Sequence, residues 1–286
     1  MKYYILYNPL AGHGSCDEKL NKLKQYLSGE CVEFDLTKLE SYADFLTKLD
    51  TEDKIVISGG DGTLNRFVNA VDVDHINNDI LYYASGSGND FLHDLGIEPG
   101  GAPFKINKYL VNLPTVTVKG KTYRFINGVG FGIDGYCCEE GDKIKLKSTK
   151  PVNYTAIAIK GLLFAFEAKV AKVTVDGKDY EFKKVWVAPT MNGRCYGGGM
   201  YATPDQDRLG DGSLSFMAFH GSSKLKTLMI FPSIFKGEHI KWKENITIIK
   251  GREITVEFNK PCALQIDGET FLDVKSYSVK ANDRTK

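Results

Sequence analysis

Within residues 1–115, four short apolar runs, Tyr3–Tyr7, Cys31–Leu36, Lys54–Ser58 and Ile80–Ala84, alternate with segments whose apolar residues fall at helical spacing. That rhythm leaves little choice but a parallel sheet with helices on its faces. Leu20, Leu23 and Tyr26 form one helical set, Phe45 and Leu49 another, and Leu64, Phe67, Val68 and Val71 give a full i, i+3, i+4, i+7 stripe. After Pro114 the pattern becomes alternating segments closed by turn signals: Lys119-Gly120, Asp176-Gly177 and Asp267-Gly268. This half is expected to be antiparallel β, with one helical interruption near residues 154–168. The predicted architecture is α/β plus all-β: a parallel-sheet α/β domain over 1–115 and an antiparallel β domain over 116–275. With no repeats and no Pro/Ser-rich linker, the halves are expected to pack closely, with the active site in the cleft between them.

At 286 residues the chain has room for two such domains. Its 37 basic and 36 acidic residues nearly cancel, which argues against a nucleic-acid partner. The six cysteines contain no C-x-x-C pair, so a reduced cytoplasm fits best. No apolar stretch reaches the roughly 20 residues that cross a bilayer, so any membrane contact is expected to be peripheral.

Three of the early strands end in small-residue loops: Asn8-Pro9-Leu10-Ala11-Gly12, Gly59-Gly60-Asp61-Gly62-Thr63 and Ser85-Gly86-Ser87-Gly88-Asn89-Asp90. All three fall at the carboxyl edge of one sheet, where helix N-termini turn their free N–H groups toward an anion. Glycine lets the backbone approach phosphate, and Thr63 offers a hydroxyl. No G-x-x-x-x-G-K-[ST] or H-R-D element is present, so the loops are not a Walker site or a protein-kinase loop. Asp61 and Asp90 facing a phosphate cradle would repel the ligand, and Mg2+ is the economical way to reconcile them.

Asn8-Pro9, Gly59-Gly60-Asp61-Gly62-Thr63-Leu64-Asn65 and Gly86-Ser87-Gly88-Asn89-Asp90-Phe91, in this order, resemble the diacylglycerol kinase catalytic family, which is related to sphingosine, ceramide and NAD kinases. The resemblance continues through residues 125–134, Gly197-Gly198-Gly199-Met200, residues 209–214 and Gln265-Ile266-Asp267-Gly268-Glu269, and so covers nearly the whole chain. It implies a Rossmann-like nucleotide-binding α/β domain, a C-terminal antiparallel β-sandwich domain with the active site in the cleft between, and an ATP-dependent lipid kinase that acts on diacylglycerol or a similar lipid alcohol. ATP and Mg2+ would be held by Asn8, Gly59, Gly60, Asp61, Gly62, Thr63, Gly86, Ser87, Gly88, Asn89 and Asp90. Glu269 would be the general base, Asp267 its orienting partner or a helper with metal, and Asp61 a third catalytic acid. A structural metal is implied at Asp211 with the carbonyls of Arg208 and Ser213, and the tail 276–286 is expected to return to the first domain.

This sequence departs from the family at Arg66 and Thr117, where many relatives carry acids. Alternatives are an NAD kinase-like or sphingoid-base kinase and a catalytically silent nucleotide- or lipid-binding regulator. Lys143, Lys145, Lys147 and Lys150, just ahead of Leu162, Leu163, Phe164 and Phe166, suggest transient contact with an anionic membrane surface at its inner face. An exposed sheet edge could pair two copies into a homodimer.

Overall fold

Tyr3 to Leu6 are all buried, so strand β1 (Lys2–Tyr7) is covered on both faces, as a central parallel strand must be. It pairs in parallel with β2 (Glu30–Asp35) and β3 (Lys54–Gly59). Strand β4 (Asp79–Ala84) continues in parallel, and the short β5 (Phe104–Lys105) adds an antiparallel edge. The four expected strands fall within one residue of their predicted bounds. Only β5, two residues without an apolar run, left no signal.

Helices α1 (Cys16–Lys24), α2 (Tyr42–Leu46), α3 (Asp61–Ala70), α4 (Asp90–Leu95) and α5 (Asn107–Leu110) connect these strands. On one sheet face Leu20 and Leu23 of α1 pack with Tyr3, Ile5, Val56 and Tyr83. On the other, Phe45 of α2 meets Phe34 and Tyr4 edge-on, at 5.1 and 5.9 Å. The stripe Leu64, Phe67 and Val68 is the buried face of α3. Tyr26 lies beyond α1 and is exposed.

The computed structural model describes residues 1–9, 16–39, 41–86, 88–147 and 152–282, and the chain divides into two units, Met1–Asn112 and Leu113–Lys286. The second unit contains β6 (Thr115–Val118), β7 (Lys121–Arg124), β8 (Gly128–Gly132), β9 (Lys169–Val175), β10 (Lys178–Val185) and β11 (Val187–Met191). It continues with β12 (Cys195–Tyr196), β13 (Met200–Tyr201), β14 (Leu214–Phe219), β15 (Ile246–Gly251), β16 (Glu253–Ile266) and β17 (Glu269–Lys280). Apart from the β12–β13 pair, these strands form one antiparallel sheet ordered β15-β14-β11-β8-β16-β17-β6-β7, with β9 and β10 branching from β16. The long β16 makes this branch possible: Ile254–Phe258 pair with β9, whereas Leu264–Ile266 pair with β8. The β9–β10 arm then faces the rest, with the Phe182 ring 6.0 Å from Phe216 and Phe131 4.7 Å from Phe258. All three expected turns are two-residue hairpins with positive φ at both positions, the conformation that suits Asn/Asp-Gly pairs and matches strand twist.

Helix α6 (Ile133–Lys145) was not expected from the sequence, because Gly135 and Gly141 each cost a helix about 1 kcal/mol. Tertiary contact explains both glycines. A Cβ at Gly135 would overlap the Ala263 carbonyl, and one at Gly141 would lie 2.6 Å from the Tyr154 ring. Helix α7 (Tyr154–Lys160) runs into a π-type turn at Gly161–Ala165, which accounts for the expected helix near 154–168, and α8 (Lys224–Ile230) follows later.

Residues 276–280 are part of β17, paired with β16 and β6. Ala281 and Asn282 donate to the Arg252 and Leu113 carbonyls. The sheet register of residues 276–282 is thus set within the second unit. Residues 283–286 lie outside the described residues.

Candidate active site

Strands β3 and β4 are hydrogen-bonded neighbours, so the loops that follow them lie side by side at one sheet edge. Their backbones touch: a Cβ on Gly86 would lie 2.6 Å from Gly60 Cα, and one on Gly60 would lie 2.8 Å from the Gly88 carbonyl. Glycine is thus required here for loop-on-loop packing. The Ser85 amide donates to the Gly59 carbonyl (3.0 Å) and the Asp61 amide to the Gly88 carbonyl (3.1 Å). The Tyr82 hydroxyl also donates to the Gly59 carbonyl (3.2 Å).

Asp61 joins the two loops with its side chain. Its carboxylate accepts from the backbone amides of Asp90 (2.7 Å) and Phe91 (3.1 Å), the first residues of α4. The residue at the cap position itself, Asn89, makes no side-chain cap bond. A carboxylate from the neighbouring loop therefore satisfies the orphan donors and complements the dipole of that helix. Asn89 donates to the Gly86 carbonyl (3.3 Å), while its Oδ1 is buried with no hydrogen-bond partner among the described residues. Such an orphan acceptor fits a cation, or a water held by one.

Asn8 follows β1 and Thr63 is buried in α3 beside Gly59. Gly62 sits in the first turn of α3. Ser87, and Leu10 to Gly12 of the first loop, lie outside the described residues. Lys19, which the sequence did not single out, reaches this edge and donates to the Ser85 carbonyl (2.6 Å). Arg66 is on the exposed side of α3, as an outward-facing helical arginine should be.

In the second unit, Asp267 and Gly268 are the turn between β16 and β17, with φ of 46° and 88°. The Asp267 carboxylate accepts three backbone amides, from Ile126 (2.6 Å), Asn127 (2.8 Å) and Gly128 (3.0 Å). It clamps the segment leading into β8, which Asn192 (2.8 Å) and Arg208 (3.1 Å) also hold through the Ile126 carbonyl. Glu269, next along the hairpin, is exposed, and its carboxylate has no partner among the described residues. The clamp fixes the turn and leaves this acid available.

Arg208 is buried, with Nη2 donating to Asn127 Oδ1 (2.9 Å). The Asp211 Oδ1 accepts from the Ser213 amide (2.8 Å) and hydroxyl (2.6 Å), bonds that hold its pKa below the usual range. The Ser213 carbonyl accepts from Gln206 (2.8 Å) and the Asp211 carbonyl from Arg252. This loop closes on itself through its own side chains. Thr117 is exposed on β6 and shares a 2.9 Å hydroxyl contact with Thr122.

Asp134, in the first turn of α6, is buried against Gly130, and neither carboxylate oxygen has a hydrogen-bond partner among the described residues. The Tyr196 hydroxyl and the Gln265 Nε2 are likewise buried without hydrogen-bond partners among the described residues. Both approach Asp134 without reaching hydrogen-bonding geometry. Desolvation pushes the Asp134 pKa up to about 6, against the lowering pull of the helix-start amides, Gln265 and Tyr196. Gln265 Oε1 meanwhile accepts from the Gly268 amide (2.9 Å), linking this polar pocket to the Glu269 hairpin. Its only sequence signal was the position of Asp134 within the glycine-rich run 125–134.

An α/β unit with glycine-rich strand ends, followed by an antiparallel unit carrying an Asp-Gly-Glu hairpin, defines a diacylglycerol kinase-like fold class. Residues 2–115 match the diacylglycerol kinase catalytic domain, and residues 127–278 match the YegS C-terminal NAD kinase beta sandwich-like domain. The chain belongs to the diacylglycerol kinase family built from these two domains. It is 23% identical to "Putative lipid kinase YtlR" of Bacillus subtilis, over 93% of both chains. It is 24% identical to a "Diacylglycerol kinase" of Mycobacterium tuberculosis, over 90% of this chain and 85% of that one. A crystal structure of a diacylglycerol kinase from Bacillus anthracis matches 98% of this chain and 94% of its own, with a TM-score of 0.65 at 22% identity, a likeness of fold.

Proposed function

We propose that this family member transfers the γ-phosphoryl group of ATP to the hydroxyl of diacylglycerol or a similar lipid alcohol. The observation that carries this reading is Glu269: an exposed carboxylate, unpartnered among the described residues, on a hairpin held by the three amide bonds to Asp267. A lipid hydroxyl is a poor nucleophile, and a carboxylate free of other hydrogen bonds can accept its proton as the phosphoryl group moves. Asp267 is then a positioning residue.

In the first unit, Asn8 and the loops after β3 and β4 would hold the triphosphate, with Lys19 as a nearby cation. Mg2+, when bound, neutralises charge on the β- and γ-phosphates, and Asn89 Oδ1 and Asp90 are the groups offered to it. Asp61, with both oxygens on amides of α4, keeps the two loops in register. Support for the lipid acceptor comes from the family match and the names of the relatives.

The test is transfer from γ-labelled ATP with Mg2+ to mixed micelles of diacylglycerol, with sphingosine, ceramide and NAD in parallel and Glu269→Ala as blank. Labelled diacylglycerol that disappears in the variant supports the proposal. Label on sphingosine or NAD would move the acceptor to those classes, and no label despite ATP binding would point to a silent regulator.

A further inference from the structure

The outward face of α8 is apolar where a solvent-facing helix surface is ordinarily polar. Thr227 and Ile230 turn inward, while Leu225 and Met229, one turn apart, are 79% and 60% exposed. The Lys224 ammonium donates to the Leu163 carbonyl (3.4 Å), which sets this face beside the turn Gly161–Ala165. There Leu162 is buried in the core, but Leu163 is partly exposed and Phe164 is 77% exposed.

Lysines flank these side chains: Lys224 and Lys226 on α8 and Lys160 before the turn. Lys226 lies 5.8 Å over the Trp242 ring, which brings the following segment alongside. From Lys224 to Glu244 the sequence holds five lysines (224, 226, 236, 241, 243) against two glutamates (238, 244). The ion pairs among them are loose, Lys226–Glu244 at 3.7 Å and Lys241–Glu238 at 3.8 Å. The lysine run suggested by the sequence is different in kind: Lys143 is paired with Glu139 and Glu140 at 2.8 and 2.7 Å, and Lys145 with Asp142 at 3.1 Å. Those lysines are neutralised within α6, and Lys150 lies outside the described residues.

We infer that Leu163, Phe164, Leu225 and Met229, with Lys160, Lys224 and Lys226 beside them, form the surface by which this protein docks on an anionic lipid bilayer. The apolar side chains enter the boundary between headgroups and acyl chains, and the ammonium groups meet headgroup phosphates. Apolar residues alone would suit many partners; the flanking lysines are what select an anionic surface. The inference deepens the lipid-acceptor reading and rests on it for its purpose, but its test does not depend on catalysis.

The full chain is floated with vesicles of phosphatidylcholine, with and without phosphatidylglycerol, at low and high salt. Binding that requires phosphatidylglycerol, falls about tenfold or more in Phe164→Ser/Leu225→Ser, and falls about fivefold in Lys224→Glu supports the surface. Both variants change exposed side chains, and unchanged tryptophan fluorescence would verify their fold. Absence of binding to either vesicle overturns the inference, as does binding that the double variant leaves intact. A wild-type dimer that Leu225→Ser dissociates overturns it in favour of a contact between copies. Phosphotransfer to a short-chain, micelle-free diacylglycerol, measured alongside, separates failure of the surface from failure of the kinase reading.

Discussion

Replacing Asp134 by Asn should stabilise the second unit, and more so as pH rises. In the unfolded chain this carboxyl titrates near 3.8, whereas in the fold it titrates at about 6. The native state thus retains a proton that the unfolded state releases, and its stability falls as pH climbs through that window. By pH 7 both states are ionised, and carrying the charge in a buried site costs the fold about 3 kcal/mol. Asn is nearly isosteric, never ionises, and can offer its amide to the unpartnered Tyr196 hydroxyl. The gain of Asp134→Asn over wild type should therefore grow by about 2 kcal/mol between pH 4.5 and pH 8. Urea unfolding followed by tryptophan fluorescence is the suitable assay, because the two tryptophans, Trp186 and Trp242, are both in the second unit. Trp186 packs in the same core cluster as Ile133 and Cys137, on either side of Asp134 in sequence. A stability difference that stays flat within about 0.5 kcal/mol across this range, or shrinks with pH, would refute the reasoning.

Asp267→Ala should cost about 3–5 kcal/mol, because it strands three amides that a charged acceptor now satisfies, and urea unfolding would register it. Glu269→Gln, at an exposed position, should leave the melting temperature unchanged while lowering phosphotransfer by about 100-fold or more, a split read by calorimetry and the labelled-ATP assay. Asp61→Ala should cost about 1–2 kcal/mol through the lost cap of α4 and speed hydrogen exchange at the Asp90 and Phe91 amides. Gly86→Ala should weaken ATP binding in titration calorimetry, because its methyl group would lie 2.6 Å from the Gly60 backbone and force the loops apart.

By itself the sequence determined whatever is written in short range. Alternation of apolar runs with helical stripes located β1 to β4 and the buried face of α3, since each of those signals spans only a few residues. Lys119-Gly120, Asp176-Gly177 and Asp267-Gly268 declared their hairpins because positive φ at successive positions is a local demand. The glycine-rich strand ends were legible for the same reason.

Tertiary structure alone decided what those residues touch. Asp61 bonds amides 29 and 30 positions away, and Asp267 bonds amides 139 to 141 positions away. Neither role can be read from neighbours in the chain. Helix α6 forms despite two glycines because Ala263 and Tyr154 need their missing side chains, a contact no local propensity encodes. Burial likewise separates Asp134 from Glu269: both are carboxylates in glycine-rich sequence, but one lies unpartnered in the interior with its pKa raised and the other stands in water. An acid's chemistry follows from its surroundings, and the chain supplies these only once it has folded.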